Sequence, residues 1–323
     1  MAEWLVEEGI GEHRAILIDR GKVVAARLEW PGQLSAGAIA DAVLVARAAG
    51  SSRGTVQFPS GEEALVDGLP RDASQGAPIR CEVTRAAMAE RGRSKLAHAR
   101  PTAIPPRPAP SLADLLRTTG QTVRVVRAFP PSTWEEILAD AADATMAFDG
   151  GTLTICPTPA MTLIDIDGTL PPRALAMAAV PAIAAAIARF NLAGSLGIDF
   201  PTLPEKADRR AVDEALTAAL AGWRHERTAM NGFGFVQLVS RLESPSLIQR
   251  IAMDRAGSAA RALIRQGERL TDPGAIELSA HPAVLSAITA EWFEQLVRRT
   301  GRSVLQRADS ALALAAGFAQ AVP

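Results

Sequence analysis

Cysteine is scarce in this chain of 323 residues, which has only Cys81 and Cys156 and no Cys-x-x-Cys pair. A disulfide-stapled domain needs several cysteines, and a cysteine zinc site needs closely spaced pairs of them. The sequence therefore predicts neither a disulfide framework nor a cysteine zinc site.

An excess of charge of one sign is also lacking. The 34 Lys and Arg residues face 35 Asp and Glu residues, which leaves a net charge of −1. This balance excludes a uniformly basic protein that binds nucleic acid by electrostatics alone. Hydrophobic residues make up 48% of the chain, so disorder of the whole chain is excluded too. Lysine is rare beside arginine, which is typical of a GC-rich genome, although guanidinium groups also suit phosphate binding.

Long apolar runs are limited to one Ala-rich segment, 174–188, which contains Pro181 and lies between Arg173 and Arg189. We interpret this segment as a buried helix rather than a membrane span. The first 25 residues carry several acidic side chains and no long apolar core, so we expect no signal peptide. These features predict a soluble, cytoplasmic protein without a membrane partner.

Short β-rich runs fill the first third of the chain. Two of them, 14–19 and 22–30, are joined by Arg20-Gly21, a typical hairpin turn. Further runs are separated by turns that contain Gly or Pro, and this spacing predicts a small β-barrel. These runs cover 42–47, 53–58, 63–67 and 79–84. A proline-rich segment at 101–110 predicts a linker or an extended strap.

The middle of the chain alternates strands and helices, which predicts an α/β region. The predicted elements are helix 111–117, strand 122–127, helix 131–142, strands 152–156 and 161–166, helix 172–190, strand 194–199, helix 205–221, and a strand over 228–239 that Gly232 and Gly234 interrupt. The rest is predicted to be mainly helical, over 245–270 and 281–299, with a last strand at 302–306.

Basic side chains concentrate between residues 91 and 127, where the one acid is Asp114. Locally this stretch could contact a polyanion, although a solvated basic face without a partner explains it equally well. The basic residues are Arg91, Arg93, Lys95, Arg100, Arg107, Arg117, Arg124 and Arg127.

Carboxylates end two of the predicted apolar strands. Asp165 and Asp167 are two residues apart, so on a strand their side chains leave the same face, and Asp199 ends the next strand. Because the carboxyl ends of neighbouring strands form the usual ligand crevice of an α/β sheet, we expect these side chains to meet there. Carboxylates brought together stay ionised when a cation neutralises them, which favours Mg²⁺ or Mn²⁺ over helix capping or pairing with arginine.

A second interpretation comes from residues 165–170, which read DIDGTL after an apolar strand. This segment resembles the nucleophile motif of haloacid-dehalogenase-like phosphatases, in which the first Asp attacks phosphorus. The resemblance implies that Asp165 is a nucleophile and Asp167 an acid/base. That family also needs a later lysine and a further acidic pair; Lys206 is the only downstream lysine, and no such pair follows.

A longer resemblance covers most of the chain. Four segments, in order, are similar to the ribonuclease E/G family around its two catalytic strands. They are FDGGTLTICPTPAMTLIDIDGTL at 148–170, AIARFNLAGSLGIDFP at 186–201, RRAVDEALTAA at 209–219 and FGFVQLVSRLESPSL at 233–247. The resemblance implies a Mg²⁺-dependent endoribonuclease that cleaves single-stranded RNA, with Asp165 and Asp199 as catalytic metal ligands. Asp167 stands where the family usually has an Asn that orients the metal site.

The same resemblance implies an α+β fold with a catalytic domain of the ribonuclease-H-like or deoxyribonuclease-I-like type. The implied organisation is N-terminal strands packed on the catalytic domain (1–35), an OB-fold RNA-binding barrel (36–100), a linker with a reduced sensor of RNA 5′ ends (101–147), the catalytic domain (148–250) and a small C-terminal α/β domain (251–323).

Residues 82–98 (EVTRAAMAERGRSKLAH) resemble the strand and basic loop with which the family's OB-fold approaches RNA. The implied contacts come from Arg85, Arg91, Arg93 and Lys95. Phe58 is the ring available for stacking on a base, and it could equally be a core residue of the barrel.

The chain also departs from the family pattern. Most of the 5′ sensor is missing, Gly232 stands where an Arg normally precedes the Phe-Gly pair, and the Cys-x-x-Cys zinc link between protomers is absent. We therefore expect no zinc, and any homo-oligomer must form without that link. An RNA-binding relative with little or no nuclease activity is the alternative.

Overall fold

The computed structural model describes residues 2–90 and 92–323. The strands are β1 (Glu3–Glu8), β2 (His13–Asp19), β3 (Lys22–Glu29), β4 (Ile39–Arg47), β5 (Arg53–Gln57), β6 (Glu63–Asp67), β7 (Pro78–Arg85), β8 (Met88–Glu90), β9 (Arg93–Lys95), β10 (Ala97–Pro101), β11 (Thr122–Val125), β12 (Thr145–Phe148), β13 (Gly151–Pro157), β14 (Thr162–Gly168), β15 (Ser195–Asp199), β16 (His225–Arg227), β17 (Phe235–Ser240), β18 (Ala275–Ala280), β19 (Val304–Ala308) and β20 (Phe318–Val322). The α-helices are α1 (Leu112–Arg117), α2 (Thr133–Asp143), α3 (Pro172–Phe190), α4 (Lys206–Ala219), α5 (Leu247–Met253), α6 (Arg255–Arg269), α7 (Pro282–Ser286) and α8 (Ala290–Thr300).

A closed barrel forms in the first third of the chain, in the order β10-β6-β5-β4-β7. Burial alternates along the strands, because one face of each strand lines the barrel core: in β6, Ala64 and Val66 are buried, whereas Leu65 is exposed. The predicted small barrel is confirmed. The strand that closes it, β10, pairs with β6 on one side and β7 on the other, and it was missed because it runs into the proline-rich segment.

The N-terminal strands form a separate sheet in the order β11-β1-β2-β3. Along β1, Leu5 enters the main core, whereas Trp4 and Val6 pack with α1 on the other face. This alternation ties the first residues of the chain to the α3 core, to which Leu5 and Phe190 both belong. Strand β1 was not predicted, because its sequence EWLVEE reads as a charged segment.

The central sheet runs in the order β12-β13-β14-β15-β17-β16. Only β14 and β15 pair in parallel within this sheet; the other neighbours are antiparallel. Apolar side chains of β13, β14 and β15 share one core with α3, so the helix lies against one face of the sheet. The mixed α+β class is confirmed.

Helix α3 matches its predicted bounds and runs through Pro181. It is long and apolar enough, by composition alone, to cross a membrane, with a mean hydropathy of 1.5, and 50% of that window is buried. Its buried residues include Ile183, Ile187 and Phe190, which belong to the main core. Here α3 is a core helix.

The C-terminal region places a sheet of order β19-β18-β20 against α6, α7 and α8. The predicted helices are present, in shorter pieces, and the predicted last strand corresponds to β19. Two strands, β18 and β20, were not predicted. They pair with each other over Ala275–Ser279, so each depends on a partner distant in sequence.

Candidate active site

The parallel pairing of β14 and β15 sets Asp165 directly opposite Asp199. The register begins at Thr162 and Leu196 and reaches the two aspartates three residues later. Asp167 lies two residues beyond Asp165 on the same strand and therefore on the same face. The structure thus brings together all three carboxylates that the sequence singled out.

These carboxylates lie on the solvent-exposed face of the central sheet. Ile164, Ile166 and Ile198 are buried on the α3 side, whereas Asp165 and Asp199, which alternate with them, are exposed. The prediction of a crevice beyond the strand ends is wrong in this respect, because Asp165 stands in the middle of β14 and its neighbour β13 is antiparallel. The candidate site is an open, acidic patch on the sheet surface.

The electrostatics of this patch are repulsive. The pKa of Asp165 is raised above its usual value, first by desolvation and then by the nearby Asp167 and Asp199 carboxylates, while a backbone hydrogen bond at Ile166 opposes the shift. Every charged group that shifts this pKa is another aspartate. A cation from outside the chain would relieve the repulsion.

Asp165 and Asp199 are the side chains that could hold such a cation, with Asp167 beside them. Within residues 2–90 and 92–323, no group of three or more His, Cys, Asp or Glu side chains forms a metal-binding cluster by itself. A cation bound here would take two carboxylates from the protein and water for its other positions. Mg²⁺ is commonly bound in this way, through one or two carboxylates and several waters.

A tight loop borders the patch on the side of Asp199. Of the strand predicted over 228–239, only the second half is a strand, in β17; residues 228–234 are a loop that follows β16. Phe235 of β17 pairs with Asp199. The side-chain Oδ1 of Asn231 accepts hydrogen bonds from the backbone N–H groups of Phe233, at 2.9 Å, and Phe235, at 3.1 Å.

Gly234 allows this loop to lie against the end of β15. It has a φ of +91°, and a Cβ there would lie 2.4 Å from the carbonyl oxygen of Phe200, the residue after Asp199. The backbone N–H of Phe200 donates to the carbonyl of Gly234 at 3.2 Å. Another residue at 234 would push the loop away from the acidic patch.

A second glycine shapes the exposed face itself. Gly197 lies two residues before Asp199, and a Cβ there would lie 2.5 Å from Cζ of Phe235 and 2.9 Å from Cδ2 of Leu163. The Phe235 ring therefore lies across the sheet beside the carboxylates. Sequence reasoning singled out the Phe-Gly segment only as a family marker and missed this apolar surface.

The predicted RNA-contacting residues have different surroundings. Arg85 is half-buried and donates from Nη2 to the carbonyl of Leu96 at 2.7 Å, and burial lowers its pKa. Lys95 pairs with Glu90 at 2.5 Å and donates to the carbonyl of Pro159 at 3.2 Å. That last contact places the β8–β9 hairpin against the turn that leads into β14. Arg91 and the side chain of Arg93 lie outside the described part of the chain.

The basic stretch at 91–127 is less cationic in the fold than in the sequence. Arg100 pairs with Glu82 at 2.8 Å, and Arg124 pairs with Glu3 at 3.2 Å. Both acids lie outside the stretch, so counting charges along the sequence could not include them. These pairs lower the local positive charge on which the polyanion interpretation depends.

Phe58 belongs to the barrel core. It is 3% exposed and packs among Leu44, Val56 and Val66. A base cannot stack on this ring while the barrel is closed, so of the two interpretations of Phe58 its burial supports the core role.

No protein-family model matches the chain, and no curated protein matches it. The resemblance to the ribonuclease E/G family therefore depends on the four sequence segments and stays a prediction.

Proposed function

We propose that this protein is a metal-dependent endoribonuclease that cleaves single-stranded RNA. The observation that carries the proposal is the exposed pair Asp165 and Asp199, in register on adjacent parallel strands, where every charged neighbour that shifts the Asp165 pKa is acidic. Such a pair is suited to a hard divalent cation, Mg²⁺ or Mn²⁺. An open face also suits a long polymer better than an enclosed pocket would.

Asp165 and Asp199 would hold the cation, and Asp167 would ligate it or orient it from the next position on β14. The bound cation would supply Lewis acidity for the attack of water on the phosphodiester. The chain's own part is positional. The β14–β15 register keeps the two carboxylates side by side, and the loop over 228–234 is joined to the end of β15 by the hydrogen bond from the Phe200 N–H to the Gly234 carbonyl.

The remaining parts of the proposal follow from the resemblance. The central domain would be of the ribonuclease-H-like type, and the barrel would be an OB-fold that guides RNA through Arg85, Lys95 and the neighbouring Arg91 and Arg93. The Lys95 contact to Pro159 supports this role, because it sets the basic hairpin beside the strand that carries Asp165. The protein would act in the cytoplasm, away from membranes, and any homo-oligomer would form without zinc.

The test is cleavage of a fluorescently labelled single-stranded RNA with Mg²⁺, comparing wild type with the Asp165→Asn and Asp199→Asn variants. Asp272→Asn is the matched control, because Asp272 is an exposed aspartate outside the central sheet. We expect wild type and the control to cleave and both patch variants to lose cleavage. Equal cleavage by wild type and Asp165→Asn would contradict the proposal.

Two other outcomes favour the alternatives. Tight RNA binding without Mg²⁺-dependent cleavage would indicate the RNA-binding relative. Hydrolysis of a small phosphate ester, with a covalent phosphate trapped on Asp165, would indicate the haloacid-dehalogenase-like phosphatase.

A further inference from the structure

Phe233 is the most exposed large apolar side chain in the described part of the molecule. Its exposed fraction is 80%, whereas the next highest, that of Leu305, is 50%. Exposing a whole aromatic ring to water is unfavourable, since burying it would remove a large apolar area from solvent. A ring held in this state is available for a partner.

The backbone that carries Phe233 is held in place. Its N–H donates to the side chain of Asn231 at 2.9 Å, and the N–H of Gly234 donates to the backbone carbonyl of Asn231 at 3.2 Å. The backbone N–H of Phe200 donates to the carbonyl of Gly234 at 3.2 Å, which ties the loop to the end of β15. Binding a partner would therefore cost little ordering of this backbone.

The loop places Phe233 beside the acidic patch. It lies two residues before Phe235, the cross-strand partner of Asp199, and two residues span at most about 7 Å. The backbone of Phe233 therefore lies within about 7 Å of the residue that is paired with Asp199. The Phe235 ring, which lies over Gly197 next to Leu163, continues the apolar surface along the sheet.

We propose that Phe233 stacks on a nucleobase of single-stranded RNA, next to the phosphodiester at the Asp165–Asp199 pair. The proposal rests on the proposed function, and it names the contact that positions the substrate there. The acidic patch repels the RNA backbone, so a neutral contact between two π-faces is a suitable way to hold the chain. Every base has such a face, so the contact tolerates any sequence.

The test measures RNA affinity by fluorescence anisotropy in the Asp165→Asn background, which is used to prevent cleavage. Removing one stacking contact is expected to weaken binding by about 5- to 150-fold. Phe233→Ala and Phe233→Leu should show this loss, and Phe233→Trp should retain affinity. Leu305→Ala is the control, because it removes an exposed apolar side chain on β19, outside the central sheet.

An RNA with a single abasic position, moved along the strand, separates stacking from a structural effect. At the position that contacts Phe233, the abasic RNA should bind Phe233→Ala and the parent protein equally. If Phe233→Ala weakens the binding of the intact RNA and of the abasic RNA alike, whatever the abasic position, the stacking proposal is overturned. It is also overturned if RNA affinity is unchanged while the oligomeric state shifts, since Phe233 would then contact another copy of the chain.

The two proposals fail separately. If wild type does not cleave RNA but the Phe233 variants show the predicted losses, the stacking contact stands and the nuclease assignment falls. If wild type cleaves and Phe233→Ala leaves both KM and RNA affinity unchanged, the nuclease assignment stands and the stacking contact falls.

Discussion

In the absence of Mg²⁺, replacing Asp165 by Asn should stabilise the folded protein. In the presence of Mg²⁺, the same replacement should remove the stabilisation that the bound cation gives. Desolvation, and then the carboxylates of Asp167 and Asp199, raise the Asp165 pKa, so ionised Asp165 is disfavoured in the folded state. Exposed charge pairs contribute about 0.2–1 kcal/mol each, and we expect Asp165→Asn to raise the unfolding free energy by about 1 kcal/mol at pH 7.

The pH dependence of this gain has a definite sign. The folded-state pKa of Asp165 lies above the unfolded value. Ionised Asp165 therefore lowers the unfolding free energy of wild type, and this destabilisation is complete above the raised pKa. It fades as the pH falls toward 3.8, the ordinary value, because wild type then carries a neutral carboxyl. The advantage of Asp165→Asn should therefore shrink as the solution is acidified.

Mg²⁺ should reverse the order of stability. A cation at 100 times its Kd stabilises the folded state by about 2.7 kcal/mol. For a chain of 323 residues the unfolding entropy is about 0.7 kcal/mol/K, so the Tm of wild type should rise by about 4 °C. The assay is thermal unfolding of wild type, Asp165→Asn and the Asp272→Asn control, each with EDTA and with saturating Mg²⁺. If Mg²⁺ raises the Tm of wild type and Asp165→Asn equally, Asp165 does not hold the cation.

Three further changes test the structure around the site. Gly197→Ala should lower the unfolding free energy by about 1–3 kcal/mol, because its Cβ would lie 2.5 Å from Cζ of Phe235. Urea titration measures this change, and a variant as stable as wild type would contradict this packing. Phe58→Ala should cost about 3–5 kcal/mol in the same titration, as expected for a ring that is 3% exposed; loss of RNA affinity at unchanged stability would instead indicate a stacking role. The RNA cleavage rate should rise with pH through the raised pKa of Asp165, because the ionised carboxylate holds the cation. A higher Mg²⁺ concentration should move the midpoint of this pH profile to lower pH. A cleavage rate that falls over this pH range would contradict the assignment.

The regular parts of the fold could be predicted because their signals are local. Helix α3 was placed over 172–190 from its apolar run; in the structure Pro172 lies at its start and Asn191, with a φ of +54°, ends it. The barrel followed from short strands separated by Gly and Pro turns. In both cases residues that are close in sequence determine the secondary structure.

What could not be predicted depends on partners that are distant in sequence. Strand β1 was missed because its Glu7 reads as a surface charge, yet Glu7 is buried and paired with Arg265 and Arg269 of α6. The three aspartates were placed together correctly, but their position on the face of the sheet depends on β13 pairing antiparallel to β14. The strand was predicted over 152–156, whereas its pairing direction was not. The exposure of Phe233 depends in the same way on a loop anchored to β15.

Anomalous diffraction from crystals soaked in Mn²⁺ would test whether the aspartate pair is a metal site. Mn²⁺ is a suitable probe because it takes the same oxygen ligands as Mg²⁺. We predict a Mn²⁺ peak bridged by the carboxylates of Asp165 and Asp199, which disappears in Asp165→Asn. Ordered Mn²⁺ elsewhere, with no peak between these two carboxylates, would contradict the assignment of this patch as a metal-dependent active site.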